Sequence, residues 1–163
     1  MKRIQRLRLM GTKLIEDMTE EEAKQLAMLI DTEGTIVGTK SRKSGSKPRI
    51  AVGMYSRIPV LMSELWGGTI IKRSKRRALL KGGKYMYTWN LDRRELVRSF
   101  LIKIKPYLEE KQKQAELALK MCDILDEKSQ GYKQKLEELR MEISKLNHAL
   151  PPDIDITKLK GIY

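Results

Sequence analysis

Five consecutive residues, Leu26-Ala27-Met28-Leu29-Ile30, carry no polar side chain, and the run ends in Asp31, Thr32, Glu33 and Gly34. A helix on a protein surface shows one apolar stripe; a helix that is apolar on every side needs neighbours on both faces. A chain of 163 residues suffices for one domain with a real core, not for a second lobe as well. The neighbour predicted for the outer face of this helix is a second copy of the same helix. Such pairing would bring the acids of two chains together where the helices end.

The charge of the chain is segregated. The formal net charge is +13. Between Thr35 and Lys84 there are 13 Lys/Arg and one acid, Glu64, whereas Ile104 to Leu150 holds nine of each sign. A second basic cluster comprises Lys2, Arg3, Arg6, Arg8 and Lys13. Solubility alone requires no such segregation, so a polyanion is the predicted partner. No apolar run approaches the roughly 20 residues that span a membrane. The N-terminus lacks the apolar core of a signal peptide, and a cytoplasmic or organellar rather than secreted protein is expected. A single cysteine, Cys122, excludes an intramolecular disulfide, and a single histidine, His148, excludes a His/Cys zinc cluster. Any metal must then take oxygen ligands, which points to magnesium, manganese or calcium.

Periodicity predicts an α+β order of helix, hairpin, helix, hairpin and three helices. Thr19 and Glu22 form a capping-box pair that starts the first helix near Glu20, and Gly34 releases it into a strand. Strands are expected at 35–41 and 49–55 around a basic turn from Ser41 to Pro48, and at 69–75 and 84–90 around a loop from Arg76 to Gly83. Ser56 is placed to cap a short helix with Ile58, Leu61, Met62 and Leu65 on its packed face, stopped by Gly67-Gly68. Asp92 and Glu95 read as another capping pair, opening a helix with Leu96, Phe100 and Ile104 on one face that Pro106 ends. Helices from Tyr107 to about Asp126 and from Tyr132 to Asn147 complete the order. Residues 1–18 read as a basic arm, 19–150 as one domain, and 151–163 as an irregular tail. Two hairpins in one antiparallel sheet, covered by helices on one face, leave the other face free to carry basic residues.

The stretch Leu26 to Gly34 resembles the signature of the LAGLIDADG homing endonucleases. Thr35-Ile36-Val37, Leu65-Trp66-Gly67-Gly68-Thr69-Ile70 and the segment from Ile104 through Lys111 to Ala115 resemble further family segments, in family order. The resemblance spans roughly residues 20 to 126. It implies a LAGLIDADG homing-endonuclease-like fold, and one copy of the motif implies a homodimer. It also implies a divalent metal, Mg²⁺ or Mn²⁺, with Ca²⁺ able to bind without supporting cleavage. Glu33 then ligates metal and acts in catalysis, the Thr32 carbonyl is a second metal ligand, and Asp31 bonds to backbone. Two carboxylates brought together repel unless a cation lies between them. Lys111 stands three residues after Leu108 and four before Ala115; a lysine on a core stripe ordinarily snorkels outward, while the resemblance gives it a catalytic role on the phosphate. Ala27, Met28, Asp31 and Thr32 are the implied dimer contacts. Met28 and Thr32 are larger than the small residues that let two such helices approach closely.

Alternation with period two assigns one face of the sheet to duplex DNA. Val37, Thr39 and Ser41, then Lys47, Arg49 and Ala51, then Ile71, Arg73 and Lys75, then Met86 and Thr88 fall on it, and Tyr85, Tyr87 and Trp89 on the other. Arg49 and Arg73 are candidates for bidentate guanine contacts; Arg42, Lys43, Arg76 and Arg77 suit phosphates. Met54 stands where the family commonly has a polar residue that orients water. The expected activity is metal-dependent cleavage of a long pseudo-palindromic duplex site. Two alternatives stay open: a cleavage-deficient DNA-binding relative, which Met54 favours, and an RNA-binding maturase acting on intron RNA.

Overall fold

The computed structural model describes residues 12–43, 45–72 and 85–148. Helix α1, Glu20–Glu33, opens with both halves of its capping box made: Thr19 Oγ1 accepts from Glu22 N–H, and the Glu22 carboxylate accepts from Thr19 N–H. Strands β1, Gly34–Ser41, and β2, Gly45–Met54, follow as a hairpin. Then come α2, Ile58–Trp66, β3, Thr69–Lys72, and β4, Tyr87–Leu91. Three helices end the described chain: α3, Arg94–Ile104, α4, Gln112–Glu127, and α5, Tyr132–His148.

The strands form one antiparallel sheet in the order β1-β2-β4-β3. Helices cover one face of it. Ile36, Ile50, Val52, Trp89 and Leu91 project there with no exposed surface, against Phe100, Leu101 and Ile104 of α3, Ala115, Ala118 and Met121 of α4, and Leu136 and Ile143 of α5. Trp89 anchors this layer. Its ring centroid lies 5.6 Å from that of Phe100, and its indole N–H donates to the Gly67 carbonyl at 2.7 Å, which satisfies the one polar atom of a buried tryptophan.

Gly34 joins α1 to β1 for a reason other than a left-handed cap. Its φ of −94° and ψ of 169° are ordinary extended values. A Cβ there would stand 2.8 Å from Ile30 Cα and 3.0 Å from the Ile30 carbonyl oxygen, so the strand can leave the helix this tightly only without a side chain. Gly67 and Gly68, by contrast, hold φ of 79° and 97° and turn α2 into β3.

Several elements differ from expectation. The first turn is shorter, because Ser46, Lys47 and Pro48 pair in β2; Pro48 lies beyond the stretch of β2 that β4 covers, where its missing N–H costs nothing. Asp92 does not cap α3, whose preceding residue, Arg93, makes no side-chain cap. The helix expected from Tyr107 begins at Gln112, after a short 3₁₀ turn at Lys105–Tyr107. In α2 the buried residues are Pro59, Met62, Ser63 and Trp66, while Ile58, Leu61 and Leu65 are exposed. The described part of the expected N-terminal arm is packed: Ile15 and Met18 belong to the core, and Thr12 and Lys13 N–H donate to carbonyls of Glu64 and Leu65.

Helix α5 is tied across the first hairpin by polar groups. Asn147 donates to the Ile36 carbonyl at 2.9 Å. Glu137 accepts from the buried Ser46 hydroxyl at 2.9 Å and from Arg140 at 2.8 and 2.5 Å. Arg140, and then Ser46, hold the Glu137 carboxyl down at a pKa of about 2. A depressed carboxyl contributes stability that is present above its unfolded value of 4.5 and lost as pH falls toward 2. Glu137→Gln is therefore expected to lower the melting temperature at pH 7 and to flatten its decline between pH 4.5 and 2, read by circular dichroism. Gly34→Ala, forced against backbone, is expected to cost about 1–3 kcal/mol in chemical denaturation; unchanged stability would contradict the close approach.

Candidate nucleic-acid interface and acidic site

Register decides which side chains leave the core. Ile36 pairs with Ile50 and Val52 with Trp89 on the covered face, so their neighbours in each strand project to the other side. There Thr39 lies beside Lys47, Val37 beside Arg49, Ala51 beside Asn90, and Ile71 beside Thr88. Ser41 ends the first row, and exposed Arg42 and Lys43 form the tip of the hairpin. Met86 and Thr88 lie over Gly53, where an added Cβ would meet Met86 Cε at 2.6 Å and Thr88 Oγ1 at 3.3 Å. The described members of the expected DNA-facing set thus share one face, and Tyr87 and Trp89 point away from it. Arg73, Lys75, Arg76 and Arg77 lie outside the described residues.

This face also carries an acid that strand alternation did not single out. Asp92, just past β4, places one carboxylate oxygen 3.5 Å from Arg49 Nη2 and 3.7 Å from Lys47 Nζ. The Nε of Arg49 is buried without a hydrogen-bond partner.

A second cluster forms at the end of α1. Pro106 cannot continue α3, and the chain from Leu108 to Lys111 wraps under the last turn of α1. The Asp31 carboxylate accepts from Glu109 N–H at 2.8 Å and from Lys111 N–H at 3.0 Å. Lys111 is the residue preceding α4 and not an interior position on its stripe; its ammonium donates to the Asp31 carbonyl at 2.5 Å. A cation at the carbonyl end of a helix is favourable. Residue spacing missed this arrangement because it assumed that the helix began at Tyr107.

The two motif acids are thereby divided. Asp31 is occupied, whereas Glu33 is exposed and makes no hydrogen bond or ion pair among the described residues. Thr32 is exposed too; its hydroxyl bonds back to the Met28 carbonyl at 2.9 Å, and its own carbonyl belongs to the last turn, which has no intrahelical donors. At the end of β2, Met54 packs against the core, with the Ser56 hydroxyl 4.0 Å from its sulfur. Within one copy, no three His, Cys, Asp or Glu side chains come together among the described residues.

Helix α1 is not apolar on every side as expected: Leu26, Ala27 and Ile30 are buried, and its outer face carries Lys24, Gln25 and Thr32 around a single exposed apolar residue, Met28. Met28 is 68% exposed, with Leu61 of α2 at 49%. Ala27 has no exposed surface, which corrects its place among the dimer contacts: its methyl packs into its own core. Asp31 likewise spends its carboxylate within its own chain, leaving Met28 and Thr32 as the exposed members of that set.

Asp31→Asn would turn one acceptor oxygen into an N–H₂ group that faces a backbone N–H. An unsatisfied group of this kind costs about 1–3 kcal/mol, and urea denaturation of Asp31→Asn against wild type should show a loss in that range.

No protein-family model matches this sequence, and no curated protein matches it. Solved structures do. The homing endonuclease I-CvuI, in complex with its target in the presence of Ca, is 19% identical with a TM-score of 0.66, over 86% of this chain and 91% of that one. A second I-CvuI structure, with the I-CreI target and Mg, shows that DNA not cleaved. The archaeal intron-encoded homing endonuclease I-Vdi141I, complexed with DNA, is 15% identical with a TM-score of 0.63, over 88% of this chain and 94% of that one. The LAGLIDADG meganuclease I-CpaMI, bound to uncleaved DNA, is 18% identical with a TM-score of 0.52, over 86% of this chain but 47% of that one. The α+β fold of this chain is that of the LAGLIDADG homing endonucleases.

Proposed function

We propose that this chain is a site-specific double-stranded DNA endonuclease of the LAGLIDADG homing type, working as a homodimer on a long pseudo-palindromic site. The observation that carries it is the division of the motif acids: Asp31 locks the helix end, and Glu33 stays exposed beside it. The fold supports it, since I-CvuI and I-Vdi141I are homing endonucleases held on DNA. The free sheet face supports it as well, with Arg42 and Lys43 at the tip and Lys47 and Arg49 along a strand of an antiparallel pair, the kind of β-ribbon a major groove admits.

The donor set suits a hard divalent ion, Mg²⁺ or Mn²⁺: an unpartnered carboxylate at Glu33 and the last-turn carbonyl of Thr32. Among the described residues one chain brings too few acidic groups together for a closed site, so Glu33 from each copy would share it. Bound there, the ion would polarise a scissile phosphate and activate water. The chain's own part is positioning. Asp31 fixes the backbone of Glu109 and Lys111, and the Lys111 ammonium, held at the helix end, would supply positive charge to the scissile phosphate as it becomes more negative in the transition state. The exposed Met28 and Thr32 of α1, and the exposed Leu61 and Leu65 of α2, would form the surface on which the second copy docks. The chain matches about half of I-CpaMI, in keeping with two copies here doing the work of one longer chain there.

Met54 supports a second reading, a DNA-binding relative that has lost cleavage. A randomised duplex library incubated with Mg²⁺ separates the two. Wild type is expected to yield a cut consensus and to sediment at twice the 18.9 kDa of the chain; Glu33→Gln should bind the same sequence and leave it whole. Lys111→Ala should bind equally and cut roughly 100-fold more slowly. Binding without cutting by wild type would establish the second reading, and no selected sequence at all would overturn both.

A further inference from the structure

The sheet face proposed to meet DNA carries an acid whose position has a cost. Asp92 stands on the same side as Arg49 and Lys47, with a single oxygen shared between them. A carboxylate facing phosphates is repelled, and each positive charge it neutralises weakens non-specific attraction to the duplex. The three side chains are about one-third exposed, neither buried in a structural bridge nor fully solvated. An ion pair in such a place contributes little to folding, so stability does not explain it.

Arg49 supplies the second observation. Its Nε is buried with no partner, while Nη2 already faces Asp92. A guanidinium has two donor edges. Asp92 engages it through Nη2 alone, so further N–H donors remain for a planar acceptor pair, and guanine presents such a pair, O6 and N7, in the major groove. Arg49 has Val37 as its cross-strand neighbour, so no other charged group competes for the guanidinium from β1.

We propose that Asp92 is a positioning residue that sets sequence specificity: it orients Arg49 toward one guanine in each half-site and reduces attraction to duplexes that lack it. This rests on the DNA-binding reading above. Lys47, the other partner of Asp92, would be released toward a neighbouring phosphate or base edge as Arg49 docks.

The test is base preference, selected from a randomised duplex pool by wild type, Asp92→Asn, Arg49→Lys and the double variant at one fixed salt concentration, with Ca²⁺ present to avoid cleavage. Asp92→Asn is expected to bind non-specific duplex more tightly. It should also lose preference for guanine at one position per half-site, by on the order of tenfold. Arg49→Lys should lose preference at that same position, and the double variant should be no worse there than Arg49→Lys alone. Melting temperatures should match, since the residues lie outside the core. Asp92→Asn that selects the wild-type consensus with equal stringency, or loses preference elsewhere than Arg49→Lys does, overturns the assignment while leaving DNA binding intact. A wild type that selects no sequence overturns both.

Discussion

Two backbone N–H groups and one carboxylate hold the centre of this molecule in place. Asp31 sits in the last turn of α1, where a helix exposes carbonyls and an acid gains nothing from the helix dipole. It is stabilised there because the N–H groups of Glu109 and Lys111 converge on its oxygens, and hydrogen bonds to a charged acceptor are among the stronger ones. The convergence depends on chain direction: Pro106 breaks the path of α3, and the following residues turn beneath α1 before α4 starts. Remove that join and the helix end, the lysine and the start of β1 would no longer share one frame.

The same join separates roles that a pair of acids two residues apart would otherwise blur. With its carboxylate accepting from backbone, Asp31 has little left for a cation. Glu33 points to solvent with nothing to neutralise it among the described residues. In a dimer, two such groups would meet, and their mutual repulsion would be a standing demand for a positive ion. Lys111 lies near enough to belong to the site, yet its ammonium is already engaged by the Asp31 carbonyl, which fixes where its charge is felt.

How far the sequence alone could reach follows from the kind of signal each element carries. Thr19 and Glu22 spell out a local device, so the start of α1 was legible. Strand alternation is equally local, and it sorted Thr39, Lys47, Arg49 and Thr88 from Tyr87 and Trp89 correctly. Helix α2 was not legible in the same way. Ile58, Pro59, Val60, Leu61, Met62, Leu65 and Trp66 leave few polar residues to mark an outer arc, and period alone does not choose; the arc with Met62 and Trp66 packs inward. Lys111 was misplaced because its stripe was measured from a helix start that Pro106 and the following turn deny. Asp92 was read as a cap from its spacing to Glu95, whereas its partners, Lys47 and Arg49, are over 40 residues away in sequence and meet it only through strand pairing.

Strand pairing is also what gives the two charged clusters opposite characters. On the sheet face the basic groups are spread along strands and the hairpin tip, partly or fully exposed, which suits the long, regular array of phosphates on a duplex. At the end of α1 the Asp31 carboxylate and the Lys111 ammonium are held by bonds to backbone groups, a fixed frame beside Glu33 that suits one reacting phosphate. Gly34 couples the two, because it lets β1 leave the helix without a gap. The first strand of the free sheet face therefore starts one residue after Glu33, and for a duplex bound as proposed, a shift along the sheet would be a shift of the phosphate at that acid. Under the proposed function, recognition and cleavage would be in register because the residues for each are consecutive in the chain.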